Sequence, residues 1–196
     1  MPTILITGAA TNLGRALSDH YAAEGWTLIL ADKDTETITR TGATALCHDP
    51  LDDTTADAIA RDLAGCPIDV MLLHSEISEE AERPVEEITQ DSFERVFLSN
   101  TWASLRLAAL LEPNVMAGGR RILAAVCPPA AETGSYTGKR RYADRASRAA
   151  LLQMLRNLEA EWKDRITVLP LKLDPRAADA ALRVTGEIDG AAGVFP

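Results

Sequence analysis

Short apolar segments alternate with longer amphipathic segments along the chain. The apolar segments are typical of strands that are covered on both faces of a sheet. Six strands are predicted, at Thr3–Thr7, Thr27–Ala31, Ala43–Cys47, Ile68–Leu73, Ile122–Val126 and Ile166–Leu171. The segments between them carry apolar residues at helical spacing, as Leu13, Leu17 and Tyr21 do before Gly25. Strands and helices in alternation predict βαβ units, so we expect a three-layer α/β fold with one doubly wound parallel sheet. We expect residues 1–196 to form a single domain.

Two of the predicted helices are longer than the others. The first begins at Thr89 and extends to Met116, and the second runs from Tyr142 to Trp162. The segment 128–139 before the second helix carries Pro, Gly and Thr and is predicted to be a loop.

The charge of the chain limits the classes of partner. It carries 29 acidic and 20 basic side chains, and the net charge of -9 repels the phosphate backbone of nucleic acid. No apolar run approaches the roughly 20 residues that span a bilayer, and the first residues leave no room for a signal sequence. Cys47, Cys66 and Cys127 are odd in number and form no C-x-x-C pair, which is typical of reduced thiols. We therefore expect a cytoplasmic protein with a small-molecule substrate and no nucleic-acid or membrane partner.

A glycine-containing turn joins the first strand to the first helix. Gly8 and Gly14 would let the backbone approach a pyrophosphate, which the N-terminus of the helix attracts. Asp32 closes the second strand eighteen positions after Gly14, where a carboxylate can accept hydrogen bonds from the ribose diol of NAD and repel the extra phosphate of NADP. Tight turns also use glycine for steric reasons alone, and polar residues commonly end strands. Together, at this spacing, the three residues favour a dinucleotide site.

The segment Ile4–Asp32 resembles the opening of the short-chain dehydrogenases/reductases, whose fingerprint is T-G-x-x-x-G-x-G. Thr7, Gly8 and Gly14 match the fingerprint, while Asn12 replaces its middle glycine and would crowd the phosphate. The resemblance implies a Rossmann-type fold and places Asp49 near an adenine. The NAD site that it implies consists of Gly8, Asn12, Leu13, Gly14, Asp32, Asp49, Pro50 and Ser75.

The residues that carry the chemistry of the resembling family are mostly replaced. Hydride transfer there needs a tyrosine as acid and base, a lysine that lowers the tyrosine pKa, a serine and an asparagine. The segment Ser147–Leu151 resembles the family's Ser-Lys-Ala-Ala-Leu, which puts Arg148 at the lysine position and Asp144 at the tyrosine position. A carboxylate is ionised at neutral pH and cannot hand over a proton. The same two residues also have the spacing of an ordinary helix ion pair, worth a few tenths of a kcal/mol.

Several residues offer partial substitutes for this site. Asn100 matches the family's asparagine, although an asparagine in a helix can also stabilise a kink by bonding backbone groups. Tyr142 lies two residues before Asp144 and gives a rearranged site of Asn100, Tyr142 and Arg148. Tyr136 and Arg140 have the spacing of the pair in the related halohydrin dehalogenases, but they fall in the predicted loop. The serine position falls at Val126 or Cys127, and Cys127 is expected to be a buried thiol.

The segments that flank the nicotinamide in the family also differ. Glu76 stands where the family has a glycine after the fourth strand, and Leu173-Asp174 replaces its Pro-Gly after the sixth. Only eleven residues separate Asp174 from Gly186, so the segment that covers the substrate is nearly gone. Residues 185–190 resemble a compressed form of the family's closing strand. Residues 139–141, with Arg145 and Arg148, form a basic cluster that is expected to be a solvated face or to hold an anion.

These departures favour an NAD-preferring, dinucleotide-binding protein with a degraded Ser-Tyr-Lys site and weak or absent turnover. A competing hypothesis is an active NAD(H)-dependent oxidoreductase that acts on a small alcohol or carbonyl compound through Asn100, Tyr142 and Arg148. A third hypothesis is a non-catalytic partner subunit or sensor, and a fourth is a different chemistry in which the basic cluster holds an anion. The resemblance also implies a homo-oligomer, dimer or tetramer, built through the two long helices, or a heteromer with an active homologue.

Overall fold

Six parallel strands form one sheet in the computed structural model, which describes residues 1–40, 42–75, 84–128 and 141–191. The strands β1 to β6 are Thr3–Thr7, Thr27–Asp32, Ala43–Cys47, Val70–Leu73, Ile122–Val126 and Thr167–Leu171. Their order across the sheet is β3-β2-β1-β4-β5-β6, so the direction of winding reverses between β1 and β4. At such a switch point the connections after the two strands diverge and leave a crevice at the carboxyl edge of the sheet.

Seven α-helices accompany the strands in the described part of the chain. The helices α1 to α7 are Asn12–Ala23, Thr35–Ile38, Asp53–Asp62, Gln90–Phe97, Ala103–Ala117, Tyr142–Glu161 and Ala180–Ala191. Thr89 caps α4 as predicted, because its hydroxyl accepts a hydrogen bond from the backbone N–H of Ser92. Gly25 follows the end of α1 with a φ of 77°, a left-handed conformation that glycine adopts without strain.

Two hydrophobic cores lie on opposite faces of the sheet. Helices α3, α5 and α6 pack on one face, where Leu111 and Leu155 are buried. Helices α1 and α7 pack on the other face, where Leu17 and Val184 are buried. The strands are therefore covered on both sides, which explains their near-continuous apolar sequences and confirms the predicted three-layer, doubly wound architecture.

The expectation of a closing strand at residues 185–190 is wrong. The segment lies inside α7, whose residues Ala180, Val184 and Ile188 repeat at four-residue spacing and are all buried. Gly186 and Gly190 have open space around them, so no neighbouring strand requires their small size. In the described part of the chain, the sheet ends at β6.

Two further features differ from the prediction. The long helix predicted from Thr89 to Met116 is interrupted by a π-helical segment at Leu98–Trp102. Strand β4 begins at Val70, because the N–H of Ile68 bonds to the carbonyl of Asn114 in α5 and not to a neighbouring strand. Most of the predicted loop at 128–139 lies outside the described residues.

Within the described ranges, no helix combines the length and the apolarity that crossing a bilayer requires.

Candidate functional site

A cleft of about 280 Å³ opens at the carboxyl edge of the sheet, at the switch point between β1 and β4. Four of the predicted nucleotide-binding residues line it: Gly8, Asp32, Pro50 and Ser75. The remaining four lie beside it. Gly14 is buried under the turn, Asp49 precedes Pro50, and Asn12 and Leu13 border a second groove between α1 and the segment before α7.

Both fingerprint glycines are required by the packing of the β1–α1 turn. Gly8 has a φ of +62°, and a Cβ atom there would lie 2.7 Å from the carbonyl oxygen of His74. A Cβ at Gly14 would lie 2.2 Å from the carbonyl oxygen of Gly8. Thr7 fixes the same junction, because its Oγ1 donates to the His74 carbonyl at 3.0 Å and accepts from the His74 N–H at 2.8 Å. The glycines are therefore needed for steric reasons. Their small size also lets the backbone of the turn form part of the wall of the cleft.

The N-terminus of α1 places backbone N–H donors beside the turn. Thr11 caps the helix, and its Oγ1 accepts the N–H of Gly14 at 3.0 Å. The N–H groups of Asn12 and Leu13 belong to the first turn and have no acceptor inside the helix. The side chain of Asn12 is exposed, and its Oδ1 accepts from Arg15 Nη2 at 2.9 Å. The asparagine that replaces the middle glycine is therefore held along the outer surface of α1.

Asp32 is held against the same turn by two backbone groups. Its Oδ2 accepts the N–H of Ala10 and its Oδ1 accepts the N–H of Asp34, each at 3.0 Å. A carboxylate has about four acceptor positions, so both oxygens can accept further hydrogen bonds from a ligand. The two backbone contacts thus fix the carboxylate in the cleft without saturating it.

Asp49 forms an ion pair with Lys33. Its Oδ2 lies 2.8 Å from Nζ of Lys33, and its Oδ1 accepts the N–H of Leu51. The hydrogen bond from Lys33 lowers the pKa of Asp49, and the same contact raises the pKa of Lys33. Lys33 itself lines the cleft next to Asp32. Asp49 therefore neutralises the cation nearest to the carboxylate that is predicted to bind ribose.

Asn100 lies in a chain of buried side chains between the cleft and α6. Ser75 Oγ donates to Asn100 Oδ1 at 3.1 Å, and Asn100 Nδ2 donates to Ser147 Oγ, also at 3.1 Å. Ser147 Oγ then donates to the backbone carbonyl of Asp144 at 3.0 Å. The amide of Asn100 thus bonds side chains and not the backbone groups that a kink-stabilising asparagine would bond. Asn100 is in the π-helical segment, a type of irregularity that is frequent at functional sites.

Asp144 and Arg148 form a buried ion pair on the inner face of α6. Arg148 Nε donates to Asp144 Oδ1 at 2.8 Å, and their side chains are only 9% and 5% exposed, with the arginine the more exposed of the two. The helix pair that the i, i+4 spacing indicates is present, but it is buried, so the surface value of a few tenths of a kcal/mol does not apply to it. Arg148 is also not part of a solvated basic face. Residues 139 and 140 of the predicted basic cluster lie outside the described residues.

Tyr142 lies on a different face of α6 from the ion pair. Its side chain is 45% exposed, whereas Asp144 and Arg148 are buried. Residues two apart on a helix do not face each other, so Tyr142 and Asp144 point in different directions. The structure brings Asn100 to Ser147 of α6, next to Arg148 in the chain, but does not bring Tyr142 to them. Tyr136 and Arg140 lie outside the described residues.

Cys127 follows the last residue of β5 and is buried, as expected. Burial raises its pKa to about 12, despite the opposing effect of the nearby cations Arg148 and Lys172. The side chain therefore remains a thiol at neutral pH and is a poor nucleophile.

Among the described residues, no group of three or more His, Cys, Asp or Glu side chains is arranged to hold a metal ion.

His74 is a lining residue that the sequence did not single out as a site residue. Its side chain is 4% exposed, and neither ring nitrogen has a hydrogen-bond partner in the described part of the chain. Burial lowers its pKa to about 4, and the positive charge of Arg148 adds to this effect. The imidazole is therefore neutral near pH 7. The sequence offers one signal, because His74 directly follows the fourth predicted strand, at the edge of the sheet where open α/β folds bind ligands.

The burial of His74 predicts a loss of stability in acid. In the unfolded chain a histidine binds its proton near pH 6.5, whereas the native side chain binds it only near pH 4. The unfolded state therefore takes up more protons between these values, and stability falls as pH drops from 6.5 towards 4. We expect His74 to account for a loss of about 2 kcal/mol in the free energy of unfolding between pH 7.5 and pH 5.

Urea unfolding of the wild type and of His74→Asn at both pH values measures this contribution. Burial also lowers the pKa of His48, but His48 is present in both proteins, so the difference between them isolates His74. An identical pH dependence in the two proteins would show that His74 is solvated or protonated in the native state.

Comparisons with known proteins agree with this geometry. The family model for short chain dehydrogenases matches residues 2–173. The sorbitol dehydrogenase of Cereibacter sphaeroides is 32% identical over 126 residues, a match that covers 60% of this chain and 48% of that protein. This chain therefore matches about half the length of that relative. The 1-deoxy-11-beta-hydroxypentalenate dehydrogenase of Streptomyces exfoliatus is 27% identical over 208 residues, covering 93% of this chain and 74% of the relative.

A solved structure is similar over almost the whole chain. It is a carbonyl reductase from Pseudomonas aeruginosa PAO1 in complex with NADP, with a TM-score of 0.82 and 24% identity. The match covers 99% of this chain and 93% of that one. At this identity the likeness shows the fold, and it confirms the Rossmann-type architecture that the sequence predicts.

Proposed function

The chain belongs to the short-chain dehydrogenase family, and we propose that it binds NAD(H) in the cleft with weak or absent hydride-transfer turnover. The observation that carries this proposal is the buried Asp144–Arg148 pair. It stands at the two positions where the resemblance places the family's tyrosine and lysine. At the nucleotide end, the glycine turn and Asp32 of the family pattern are retained. At the acid–base end, an ion pair stands in place of the tyrosine and the lysine.

The residues at the nucleotide end fit the adenosine and diphosphate parts of the cofactor. Gly8 leaves the wall of the cleft as bare backbone, and the first-turn N–H groups of Asn12 and Leu13, which have no acceptor inside the helix, suit the diphosphate. The fixed carboxylate of Asp32 suits the ribose diol. The relative from Pseudomonas aeruginosa was solved with NADP, so the preference for NAD rests on Asp32 and on the engagement of Lys33 by Asp49.

Among the described residues at the acid–base end of the site, none of the buried side chains is a proton donor of the usual kind. When bound, the nicotinamide supplies or accepts a hydride, and the carbonyl oxygen of a substrate then needs a proton. Asp144 accepts from Arg148, and an arginine keeps its protons at any physiological pH. His74 is neutral and Cys127 remains a thiol. These residues can bind and orient a ligand, but they give little acid–base assistance.

An active oxidoreductase is the second candidate. The chain of hydrogen bonds through Ser75, Asn100 and Ser147 favours it, because it retains the family's asparagine between the cleft and α6. Turnover of a small alcohol or carbonyl compound would then require Tyr142 to turn from the exposed face of α6 towards Arg148. Without such a rearrangement, the chain acts as a nucleotide-dependent sensor or as the non-catalytic partner of an active homologue.

Replacement of Asp32 tests the nucleotide assignment. We expect the wild type to bind NADH at least about tenfold more tightly than NADPH, because the carboxylate bonds the ribose diol and repels a phosphate. In Asp32→Ser we expect NADH binding to weaken about tenfold and the preference over NADPH to disappear. Isothermal titration calorimetry measures both affinities.

Asp34→Ser is the matched control for this experiment. Asp34 is the neighbouring carboxylate, and it caps α2 by accepting the N–H of Thr37 outside the cleft. It should leave both nucleotide affinities unchanged. Equal affinities of the wild type for NADH and NADPH would contradict the assignment of Asp32 to the ribose.

We also propose that the chain forms a homo-oligomer, a dimer or a tetramer. Phe93, Leu98 and Trp102, on α4 and the π-helical segment, are large apolar side chains that are 37–42% exposed. Light scattering coupled to size-exclusion chromatography should give a mass of two or four chains. A monomeric mass would favour a heteromer with an active homologue, which co-expression with such a homologue would reveal.

A further inference from the structure

His74 presents unused hydrogen-bonding capacity at the wall of the cleft. Its side chain is 4% exposed, yet it lines the cleft, and neither Nδ1 nor Nε2 has a partner among the described residues. A buried polar group without a partner costs free energy, so an orphan in a native structure calls for a ligand or an ordered water. The hydroxyl of Ser99 lines the same cleft and is also buried without a described partner.

The position of the His74 ring is fixed before any ligand binds. Its backbone N–H and carbonyl are both bonded to the hydroxyl of Thr7. The edge of the ring lies against Gly8, where a Cβ atom would approach its Cδ2 to 3.1 Å. The next residue, Ser75, donates to Asn100, which donates to Ser147 on α6. The imidazole therefore lies at the end of β4, on the other side of β1 from Asp32 at the end of β2, and towards α6.

The chemistry of the ring selects the kind of ligand group. A neutral imidazole has one N–H donor and one nitrogen acceptor, so it suits a group that both donates and accepts. A hydroxyl does both, whereas a phosphate oxygen accepts only. The charge of Arg148 is already balanced by Asp144. The site thus favours an uncharged polar group over an anion.

We propose that His74 is a ligand-binding residue that hydrogen-bonds a sugar hydroxyl of the molecule in the cleft. The inference rests on the proposed binding of NAD(H), and it assigns the hydroxyl to the ribose on the nicotinamide side. Asp32 lies at the opposite end, where the adenosine ribose is proposed to bind, and the N-terminus of α1 suits the diphosphate. The remaining part of the ligand then extends past the end of β4, where His74 and Ser75 line the cleft, towards α6.

Three probes separate this contact from the rest of the site. NADH and adenosine diphosphate ribose carry the second ribose, whereas ADP does not. In His74→Leu, which removes both ring nitrogens but keeps an apolar side chain of similar bulk, we expect the first two to bind about fivefold to tenfold more weakly. ADP should bind as it does to the wild type. Isothermal titration calorimetry at neutral pH gives all three dissociation constants.

Two further variants act as controls. His74→Asn keeps one donor and one acceptor and should bind all three probes within about threefold of the wild type. His20→Leu removes a histidine of α1 that is outside the cleft lining and should change nothing. Unaltered binding of every probe to His74→Leu overturns the assignment of His74 alone. A loss that includes ADP also overturns it, because it indicates a general change in the shape of the cleft.

The ring nitrogens of His74 provide a readout that does not depend on a variant. Their ¹⁵N resonances in the wild type should move when adenosine diphosphate ribose is added and should move little with ADP. If His74→Leu fails to fold, these resonances test the role of His74 in its place. Equal shifts on addition of adenosine diphosphate ribose and of ADP overturn the proposal. Failure of the wild type to bind NADH, adenosine diphosphate ribose and ADP overturns the proposed function, and the role of His74 with it.

Discussion

Removal of Arg148 alone, as Arg148→Leu, is expected to lower the free energy of unfolding by about 3–5 kcal/mol. The variant leaves the carboxylate of Asp144 buried without the guanidinium that now donates to it at 2.8 Å. Taking an uncompensated charge out of water is far more costly than losing one exposed contact. Urea unfolding followed by circular dichroism at pH 7.5 measures the loss.

A double variant separates the cost of the orphaned charge from the value of the pair. Asp144→Leu combined with Arg148→Leu removes both charges, and we expect it to recover most of the lost stability. The matched control is Arg106→Leu, which breaks a pair with Asp57 at 2.7 Å whose side chains are 33% and 43% exposed. That loss should be below about 1 kcal/mol. A similarly small loss in Arg148→Leu would show that the α6 pair is solvated.

Replacement of Gly14 by alanine is expected to cost about 3 kcal/mol and to disrupt nucleotide binding. The new Cβ would lie 2.2 Å from the carbonyl oxygen of Gly8 and 2.7 Å from Cα of Ala9. Both neighbours are backbone atoms, so the turn itself must move, and the wall of the cleft moves with it. Urea unfolding and a titration with adenosine diphosphate ribose measure the two effects.

Gly186→Ala is the matched control for the effect of alanine at a helical glycine. Gly186 lies in α7 with no atom near its hypothetical Cβ. Alanine is favoured over glycine inside a helix by about 1 kcal/mol, so this variant should be as stable as the wild type or more so. A Gly14→Ala protein with wild-type stability would show that the turn is not packed as described.

The sheet could be predicted from the sequence because its strands are short and apolar and are separated by amphipathic helices. The start of β4 could not be predicted, because Ile68 is an apolar residue as buried as Val70. Ile68 lies outside the strand because its N–H bonds to the carbonyl of Asn114. For α7 the four-residue spacing of Val184 and Ile188 was visible, but the family resemblance led to a strand. The π-helical segment at Leu98–Trp102 has no signal in its local sequence.

The nucleotide end of the candidate site could be predicted, because the roles of its residues follow from short sequence motifs. Gly8 and Asp32 lie on successive βα units, and a parallel sheet brings their ends together. The burial of Asp144 and Arg148 was not predictable, because i, i+4 spacing is the same for exposed and buried pairs. His74 escaped notice because a single histidine after an apolar strand is usually a core residue. Its importance comes from its packing against Gly8 and its bonds to Thr7, which are distant in sequence.

A calorimetric titration of the wild-type protein with NADH, NADPH and adenosine diphosphate ribose decides whether the cleft is a nucleotide site. We expect micromolar binding of NADH, comparable binding of adenosine diphosphate ribose and much weaker binding of NADPH. Absence of binding up to millimolar concentrations of all three would contradict it. The cleft between β1 and β4 would then not be a nucleotide site, and the retained fold would serve a protein partner instead.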